Sequence, residues 1–191
     1  EIASCLVGSE MCIRDSWGAD LALLVKAARD ADLKANFYTL YAATTGVPTA
    51  MGAAGLDRVK YVAYWNLNNE TYAGKEIIEG FKKKYNDDYY AMASYTMLAM
   101  LGKAFKESGS TDPLKVALAL EGMKVKSLNG EVEMRKADHQ AQQPLYIATW
   151  VKQNNTDVKF DQENTGYGWR TDQKIDAYVA AQPTSCQMKR P

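Results

Sequence analysis

The pattern of apolar and polar residues predicts helices that alternate with strands in the first third of the chain. One face of a predicted helix over 19–31 carries the apolar residues Leu21, Leu24, Val25 and Ala28. Residues 35–40 and 59–65 are short and rich in aromatic or β-branched side chains, which favour strands. Pro48 lies between them and suits the first turn of a helix. This order of helix, strand, helix and strand predicts an α/β layer with a parallel sheet.

The middle of the chain predicts three consecutive helices with no strand between them. Asn68 or Asn69 can cap the first helix, whose inner face carries Ile77, Ile78, Phe81 and Tyr85. Residues 92–105 are apolar nearly all round, so we expect this helix to be buried against something large. Asp112 followed by Pro113 predicts the start of the third helix. Because these helices have no strand of their own, we expect the sheet beside them to lie in a part of the protein outside this chain.

After the helices, alternating side chains predict two further strands. Residues 131–135 and 145–152 alternate between two faces, as the residues of a strand do. Residues 154–169 are polar and contain two glycines, which predicts a long surface loop. We expect 172–179 to form a short helix that turns inward its apolar residues Ile175, Tyr178 and Val179.

The N-terminal segment does not follow either pattern. Residues 6–15 show no helical or strand period that continues into the first helix. They resemble the translation of a transposase adapter used in short-read sequencing libraries. We therefore expect residues 1–16 to be a non-native, adapter-like segment and the native sequence to start near Trp17. The alternative is an ordinary leader or an N-terminal strand.

Composition excludes several classes of protein. The 191 residues carry 23 basic and 23 acidic side chains, a balance that gives no sign of nucleic-acid binding. No apolar run approaches the length of about 18 residues that a membrane span needs. Two of the three cysteines, Cys5 and Cys12, lie in the adapter-like segment, so Cys186 is the one cysteine left to explain.

The chain offers little chemistry for an enzyme, and we expect no catalytic residue, no metal site and no cofactor. His139 is the one histidine, and no serine or cysteine stands in the context of an activated nucleophile. Asp138 and His139 form the single acid–imidazole pair, which we interpret as a polar connection in preference to a catalytic element. Aromatic residues are abundant, and Trp17, Tyr41 and Trp65 stand at predicted strand ends, where packing or a ligand crevice can explain them.

A series of short motifs carries a family resemblance. In chain order these are Trp-Gly-Ala-Asp at 17–20, Phe-Tyr at 37–38, Ser-Tyr at 94–95, Ser-Thr-Asp-Pro at 110–113, Leu-Asn-Gly at 128–130 and Asp-His-Gln at 138–140. Each motif alone is weak, but their order and spacing together are specific. From Trp17 onward the chain resembles the periplasmic solute-binding proteins of branched-chain amino-acid ABC transporters.

The resemblance implies a two-lobed α/β fold, the type I periplasmic binding protein fold, with a parallel sheet and flanking helices. This chain would be its C-terminal half. Residues 17–67 would form an α/β segment of lobe 2, residues 68–137 the helices and an edge of lobe 1, and residues 138–191 the return to lobe 2 and the tail. The missing N-terminal half would then supply the sheet that the three helices cover.

The resemblance also implies a function without chemistry. Such a protein is the substrate-binding component of an ABC importer: it traps a small solute between two lobes by hinge closure and delivers it to a membrane permease in the periplasm. The residues implied to bind the solute are Trp17, Tyr41, Ala42 and Tyr90. The alternative is a ligand-sensing regulatory domain of the same fold, and a signal peptide in the missing N-terminus would favour the transporter component.

One departure from the family affects the solute. Amino-acid-binding members hold the ligand's ammonium with a carboxylate in the loop after the strand at 35–40, whereas no acidic residue occurs here between Asp32 and Asp57. Our hypothesis is a solute without a free α-amino group, an aromatic or aliphatic carboxylate that stacks on Trp17, Tyr41 and Tyr90. The alternative is that the missing half supplies the ammonium's partner. Cys186 can likewise pair with a cysteine of that half or be an unpaired buried thiol.

Overall fold

The computed structural model describes residues 11–13, 18–69, 74–185 and 189, and it describes 11–13 by their main chain alone. Trp17 and Cys186 lie outside these ranges. The described residues form two compact units. Unit 1 takes them from Glu1–Asn69, Asn86–Asp88 and Tyr146–Lys174, and unit 2 from Glu70–Tyr85, Tyr89–Leu145 and Ile175–Pro191.

Six helices and eight strands occur in the described ranges. The helices are α1 (Ala19–Asp30), α2 (Val47–Met51), α3 (Lys75–Tyr85), α4 (Met92–Ser108), α5 (Pro113–Leu120) and α6 (Ala177–Ala180), with a 3-10 helix at Gly52–Gly55. The strands are β1 (Met11–Ile13), β2 (Asn36–Thr39), β3 (Val59–Ala63), β4 (Lys124–Ser127), β5 (Gly130–Met134), β6 (Ala141–Gln142), β7 (Leu145–Lys152) and β8 (Tyr167–Ile175).

Unit 1 is built on a five-stranded sheet in the order β1-β2-β3-β7-β8. The first three strands are parallel, and β7 pairs antiparallel with β3, in a register that sets Ala63 opposite Tyr146. The sheet is therefore mixed. The predicted parallel strands are confirmed, while the antiparallel return of β7 is an addition that the sequence pattern did not predict.

The core of unit 1 lies between this sheet and its helices. Helix α1 buries the face that the periodicity predicts, with Leu21, Ala22, Val25 and Ala28 inward. Two indoles form the centre of the core: the rings of Trp150 and Trp169 lie 4.9 Å apart, and both residues are almost fully buried. The indole nitrogen of Trp150 donates to the carbonyl of Gly52 at 2.8 Å, so the buried polar atom is paired.

Unit 2 combines helices with a three-stranded antiparallel sheet in the order β4-β5-β6. Helices α4 and α5 share an apolar cluster with this sheet, formed by Met100, Ala104, Val116, Met123 and Val132. Asp112 caps α5 as predicted, because its carboxylate accepts from the amide of Lys115 at 3.0 Å. Strands β4 and β6 were not predicted.

The C-terminal part corrects two predictions. Residues 172–175 continue strand β8, so the predicted helix at 172–179 is wrong apart from the short α6. Tyr178 is 79% exposed and Val179 is also exposed, so neither turns inward. The predicted surface loop at 154–169 is wrong at its end, where β8 begins and Trp169 enters the core, because pairing within the sheet outweighs the polar composition of this segment.

The asparagines after β3 correct a third prediction. Asn68 and Asn69 do not cap the next helix, because α3 begins at Lys75. They belong instead to unit 1, where their side chains bind the strand β8 region. The unit boundary after Asn69 is two residues beyond the predicted end of the lobe 2 segment, and residues 138–145 and 175–185 group with unit 2. That the two units correspond to the two lobes stays a prediction.

One side of helix α4 is buried in unit 2, and the other side is exposed. Met92, Thr96, Met100 and Ala104 face inward. Met97, Leu98 and Phe105 are 52%, 64% and 45% exposed. Within this chain the helix is therefore buried on one side only, and its burial against something large outside the chain stays a prediction.

Strand β1 falls within the adapter-like segment. Its main chain pairs in parallel with β2, from Met11 opposite Asn36 to Ile13 opposite Tyr38. A strand ladder joins main-chain groups, so it does not depend on which side chains the strand carries. The interpretation of residues 1–16 as non-native stays a prediction.

Candidate functional site

The carboxyl ends of parallel strands define one edge of the sheet in unit 1. In open α/β sheets, ligands bind outside this edge. Residues 40–46, here called the β2–α2 loop, follow β2 there, and Trp65 follows β3. Tyr146 at the start of β7 lies at the same edge because it pairs with Ala63, the last residue of β3.

Short hydrogen bonds fix the shape of the β2–α2 loop. The Thr39 hydroxyl accepts from the amide of Ala42 at 3.2 Å, which turns the chain as soon as β2 ends. Thr44 then binds the carbonyl of Tyr41 twice, through its amide at 3.1 Å and its hydroxyl at 2.8 Å. Gly46 adopts a φ of 85° before α2, a left-handed conformation that glycine accepts without steric cost. The loop therefore holds Tyr41 in a defined place.

A carboxylate from far along the chain reaches the same loop. Glu163 accepts from the amide of Gly46 at 2.5 Å through one oxygen. Its other oxygen accepts from the amide of Thr49 at 2.8 Å and from the Thr49 hydroxyl at 2.5 Å. The sequence lacks an acidic residue in this loop, and folding supplies one from 117 positions away.

Gln162, the neighbour of Glu163, binds the loop from inside the protein. Its side chain is 4% exposed and donates to the carbonyl of Ala43 at 3.0 Å, while its oxygen accepts from the Trp169 indole at 2.5 Å. The amide of Glu163 donates to Asp88 at 2.6 Å, and Asp88 is itself almost fully buried. We call Gln162 and Glu163 the latch, since both bind the segment from Ala43 to Thr49.

Three asparagines organise the chain after β3. Asn68 forms two hydrogen bonds of 2.8 Å with the main chain of Phe160, one through each atom of its amide. Asn66 donates to the Thr171 hydroxyl at 3.1 Å, and that hydroxyl donates to Asn69 at 3.0 Å. Among the residues that the structure describes, the side-chain nitrogen (Nδ2) of Asn69 is a buried donor without a protein partner.

The predicted binding residues fall in different places. Tyr41 and Ala42 lie side by side in the β2–α2 loop, Tyr41 half-buried and Ala42 fully buried. Tyr90 lies in unit 2 just before α4 and is half-buried. Trp17 lies outside the described residues. A joint site of Tyr41, Ala42, Tyr90 and Trp17 therefore stays a prediction.

The sequence pattern gives no sign of the roles of Gln162, Glu163 and Asp88. Gln162 and Glu163 stand in a polar stretch that has no period and was predicted to be a surface loop. Their partners lie more than a hundred residues away, so no local spacing marks them. Only the folded chain brings them to the β2–α2 loop.

Asp138 and His139 do not pair with each other. The Asp138 carboxylate binds the guanidinium of Arg135, with a distance of 2.7 Å from Nε, and it accepts from the amide of Gln140. The Arg135 guanidinium holds the pKa of Asp138 well below its usual range. His139 instead has Nε2 3.5 Å from the carboxylate of Glu121. Asp138 and His139 thus have different partners in this structure.

No metal or membrane signature occurs in the described ranges. No three His, Cys, Asp or Glu side chains there are grouped so that they could hold a metal ion. A search of the same residues for a helix with the length and apolar character of a membrane span found none.

Comparison with known proteins identifies the class. The model of the family described as "Periplasmic binding protein" matches residues 14–156. A curated relative, the Leu/Ile/Val-binding protein homolog 4 of Brucella abortus (strain 2308), is 30% identical over 186 residues, which cover 92% of this chain and 43% of the relative. The chain belongs to the periplasmic binding protein family, and the resemblance inferred from its motifs is confirmed.

Solved structures agree with the fold. The leucine-, isoleucine-, valine-, threonine- and alanine-binding protein of Brucella ovis, in a closed conformation, matches with a TM-score of 0.84 and 28% identity. The match covers 96% of this chain and 48% of that protein. A solute-binding protein of an ABC transporter from Rhodopseudomonas palustris HaA2, in complex with p-hydroxybenzoic acid, has a TM-score of 0.67 at 17% identity and covers 89% and 46%. The chain thus spans less than half the length of the relatives it matches.

Proposed function

We propose that this chain is the C-terminal half of the substrate-binding component of an ABC importer. The observation that carries the proposal is the β2–α2 loop, a hydrogen-bonded segment at the carboxyl end of parallel strands, in a chain of the periplasmic binding protein family. The protein would trap a small solute by closure of two lobes and deliver it to a membrane permease, and it would act in the periplasm without catalysing a reaction.

The solute we propose is a small carboxylate without a free α-amino group. A buried ammonium needs a carboxylate partner that is available to it. Glu163 is the carboxylate that the described structure places on the β2–α2 loop, and its two oxygens already accept from two amides and a hydroxyl. The ring of Tyr41 in the same loop is suited to stacking on an aromatic acid, as Trp17 and Tyr90 would be. Relatives of this fold include proteins crystallised with p-hydroxybenzoic acid and with benzoate.

Calorimetry distinguishes this proposal from the amino-acid alternative. The experiment uses the uninterrupted protein, in which the native N-terminal half precedes this chain, titrated with 4-hydroxybenzoate and separately with leucine. We expect one-to-one binding of 4-hydroxybenzoate and no heat above dilution with leucine. Tight binding of leucine would show that the missing half supplies the ammonium's partner and would refute the proposed solute class.

The exposed stripe of α4 supports the proposal that the missing half is a physical partner. Met97, Leu98 and Phe105 lie on one side of the helix, and full burial of an apolar side chain of this size stabilises a protein by about 1.5–3 kcal/mol. Leu114 and Leu118 on α5 are exposed as well. We propose that the sheet of the N-terminal half covers these helices. Residues 17–191 expressed alone should then bind a hydrophobic dye and melt without a sharp transition, whereas a cooperative melt without dye binding would contradict this.

A further inference from the structure

The latch of Gln162 and Glu163 holds the one loop of unit 1 to which a solute contact is assigned. Its contacts converge from three sides. Glu163 binds two amides and a hydroxyl at the end of the loop and the first turn of α2. Gln162 binds the carbonyl of Ala43 in the middle of the loop, two residues after Tyr41. The residues that provide these bonds are distant from the loop in the sequence.

The latch itself is anchored to rigid parts of unit 1. The main-chain amide of Gln162 donates to the carbonyl of Tyr167 at the start of β8, at 2.7 Å. Its side-chain oxygen accepts from the core residue Trp169. The amide of Glu163 donates to the buried carboxylate of Asp88 at 2.6 Å. The loop is therefore tied through the latch to the sheet and to the core.

The backbone of the latch is held in an uncommon conformation. Glu163 and Asn164 have φ angles of 56° and 54°, in the left-handed region. Residues other than glycine rarely adopt this region, and such a conformation persists where surrounding contacts determine it. In this backbone conformation the Glu163 side chain binds Gly46 and Thr49.

We infer that Glu163 and Gln162 are positioning residues for solute binding, which set affinity by holding the β2–α2 loop in the binding conformation without touching the solute. The inference rests on the proposed function, because it takes the loop to be a solute contact. If a loop freed of its latch spends one tenth of its time in the binding conformation, the apparent Kd rises tenfold. Charge-assisted hydrogen bonds to main-chain amides are the stronger kind, so Glu163 should contribute most of this effect.

The test is Glu163→Gln in the uninterrupted protein, with Glu107→Gln as the matched control. Glu107 undergoes the same change on the surface of α4, where it forms an exposed ion pair with Lys103 at 3.8 Å. In Glu163→Gln, an amide NH₂ group replaces one of the two carboxylate oxygens. This group is itself a donor, so it cannot accept the hydrogen bond from the main-chain amide that the oxygen accepted. We expect the Kd for 4-hydroxybenzoate to rise about tenfold and the control to bind like the wild type.

Amide hydrogen exchange measured without solute provides a second readout that a general loss of stability would not reproduce. The amides of Gly46 and Thr49 should exchange at least tenfold faster in Glu163→Gln, while those of β2 and β3 keep their wild-type rates. Faster exchange throughout unit 1 would indicate a structural role only and would overturn the inference.

The two proposals fail separately in this design. If the wild-type protein binds neither 4-hydroxybenzoate nor leucine, the proposed function fails, and exchange at Gly46 and Thr49 still decides whether Glu163 positions the loop. An unchanged Kd in Glu163→Gln, or unchanged exchange at these two amides, would overturn the inference that the latch positions the loop.

Discussion

Gly168 provides a sharp test of how β8 packs in unit 1. A Cβ atom at this position would lie 2.6 Å from the carbonyl oxygen of Phe160 and 2.7 Å from a methyl carbon of Val158. It would also lie 3.3 Å from the side-chain nitrogen of Asn68, which donates to that same carbonyl at 2.8 Å. The Gly168→Ala change therefore presses a methyl group onto main chain that cannot rotate away.

The size of the effect follows from these distances. Ordinary van der Waals contact begins at 3.4 Å, so the Phe160 carbonyl must move by about 0.8 Å. Overpacking of this kind costs about 1–3 kcal/mol. The same movement weakens the hydrogen bond from Asn68, which contributes about 1 kcal/mol more. We expect Gly168→Ala to lower the free energy of unfolding by about 3 kcal/mol.

The control is Gly80→Ala, the same chemical change on the exposed side of α3. A Cβ there meets nothing within 4 Å, and alanine favours a helix over glycine by about 1 kcal/mol. Gly80→Ala should therefore raise the free energy of unfolding by about 0.5–1 kcal/mol.

Urea unfolding of the uninterrupted protein measures both variants. A change in the midpoint at constant slope reports stability alone. The reasoning is refuted if Gly168→Ala unfolds within about 0.5 kcal/mol of the wild type, because the close approach of β8 to Phe160 would then be absent.

Three further predictions concern other parts of the molecule. Leu98→Ala should destabilise the uninterrupted protein by about 2–3 kcal/mol in urea unfolding, because we propose that the missing half buries this side chain, which is exposed in this chain; a change below about 0.5 kcal/mol would contradict that. Thr171→Val should cost about 1–3 kcal/mol in the same assay because two buried asparagine groups lose their partner, whereas Thr171→Ser should stay near the wild type. Arg135 lowers the folded-state pKa of Asp138, so this pair contributes stability that is complete above the ordinary Asp pKa of about 4 and is lost as the pH falls below it. In Asp138→Asn the melting temperature should therefore depend less steeply on pH between about pH 4 and 2. A pH dependence like that of the wild type would argue against the pair.

Elements with strong local signals could be predicted from the sequence. The spacing of Leu21, Val25 and Ala28 identified α1 and its buried face. Asp112 and Pro113 marked the start of α5, because capping is a contact between close neighbours in the chain. Strands β2, β3 and β7 were found from their side chains, since each carries a clear β-forming pattern.

The remaining features depend on contacts between distant residues. Strand β8 contains the polar sequence Arg170 to Lys174, which has no apolar alternation, and it becomes a strand by joining the sheet. Helix α4 is apolar on both sides, and nothing in its sequence shows which side this chain buries. The latch cannot be predicted, because Glu163 meets Gly46 only in the folded chain.

Solute binding through Tyr41 is the central claim, and calorimetry of Tyr41→Ala tests it most directly. The uninterrupted protein and this variant are titrated with 4-hydroxybenzoate, and circular dichroism checks that both are folded. We predict one-to-one binding by the wild type and about a tenfold higher Kd in Tyr41→Ala, because an aromatic contact contributes about 0.5–1.5 kcal/mol beyond the area that it buries. Equal affinity in the two proteins, or binding of leucine in place of 4-hydroxybenzoate, would contradict the account.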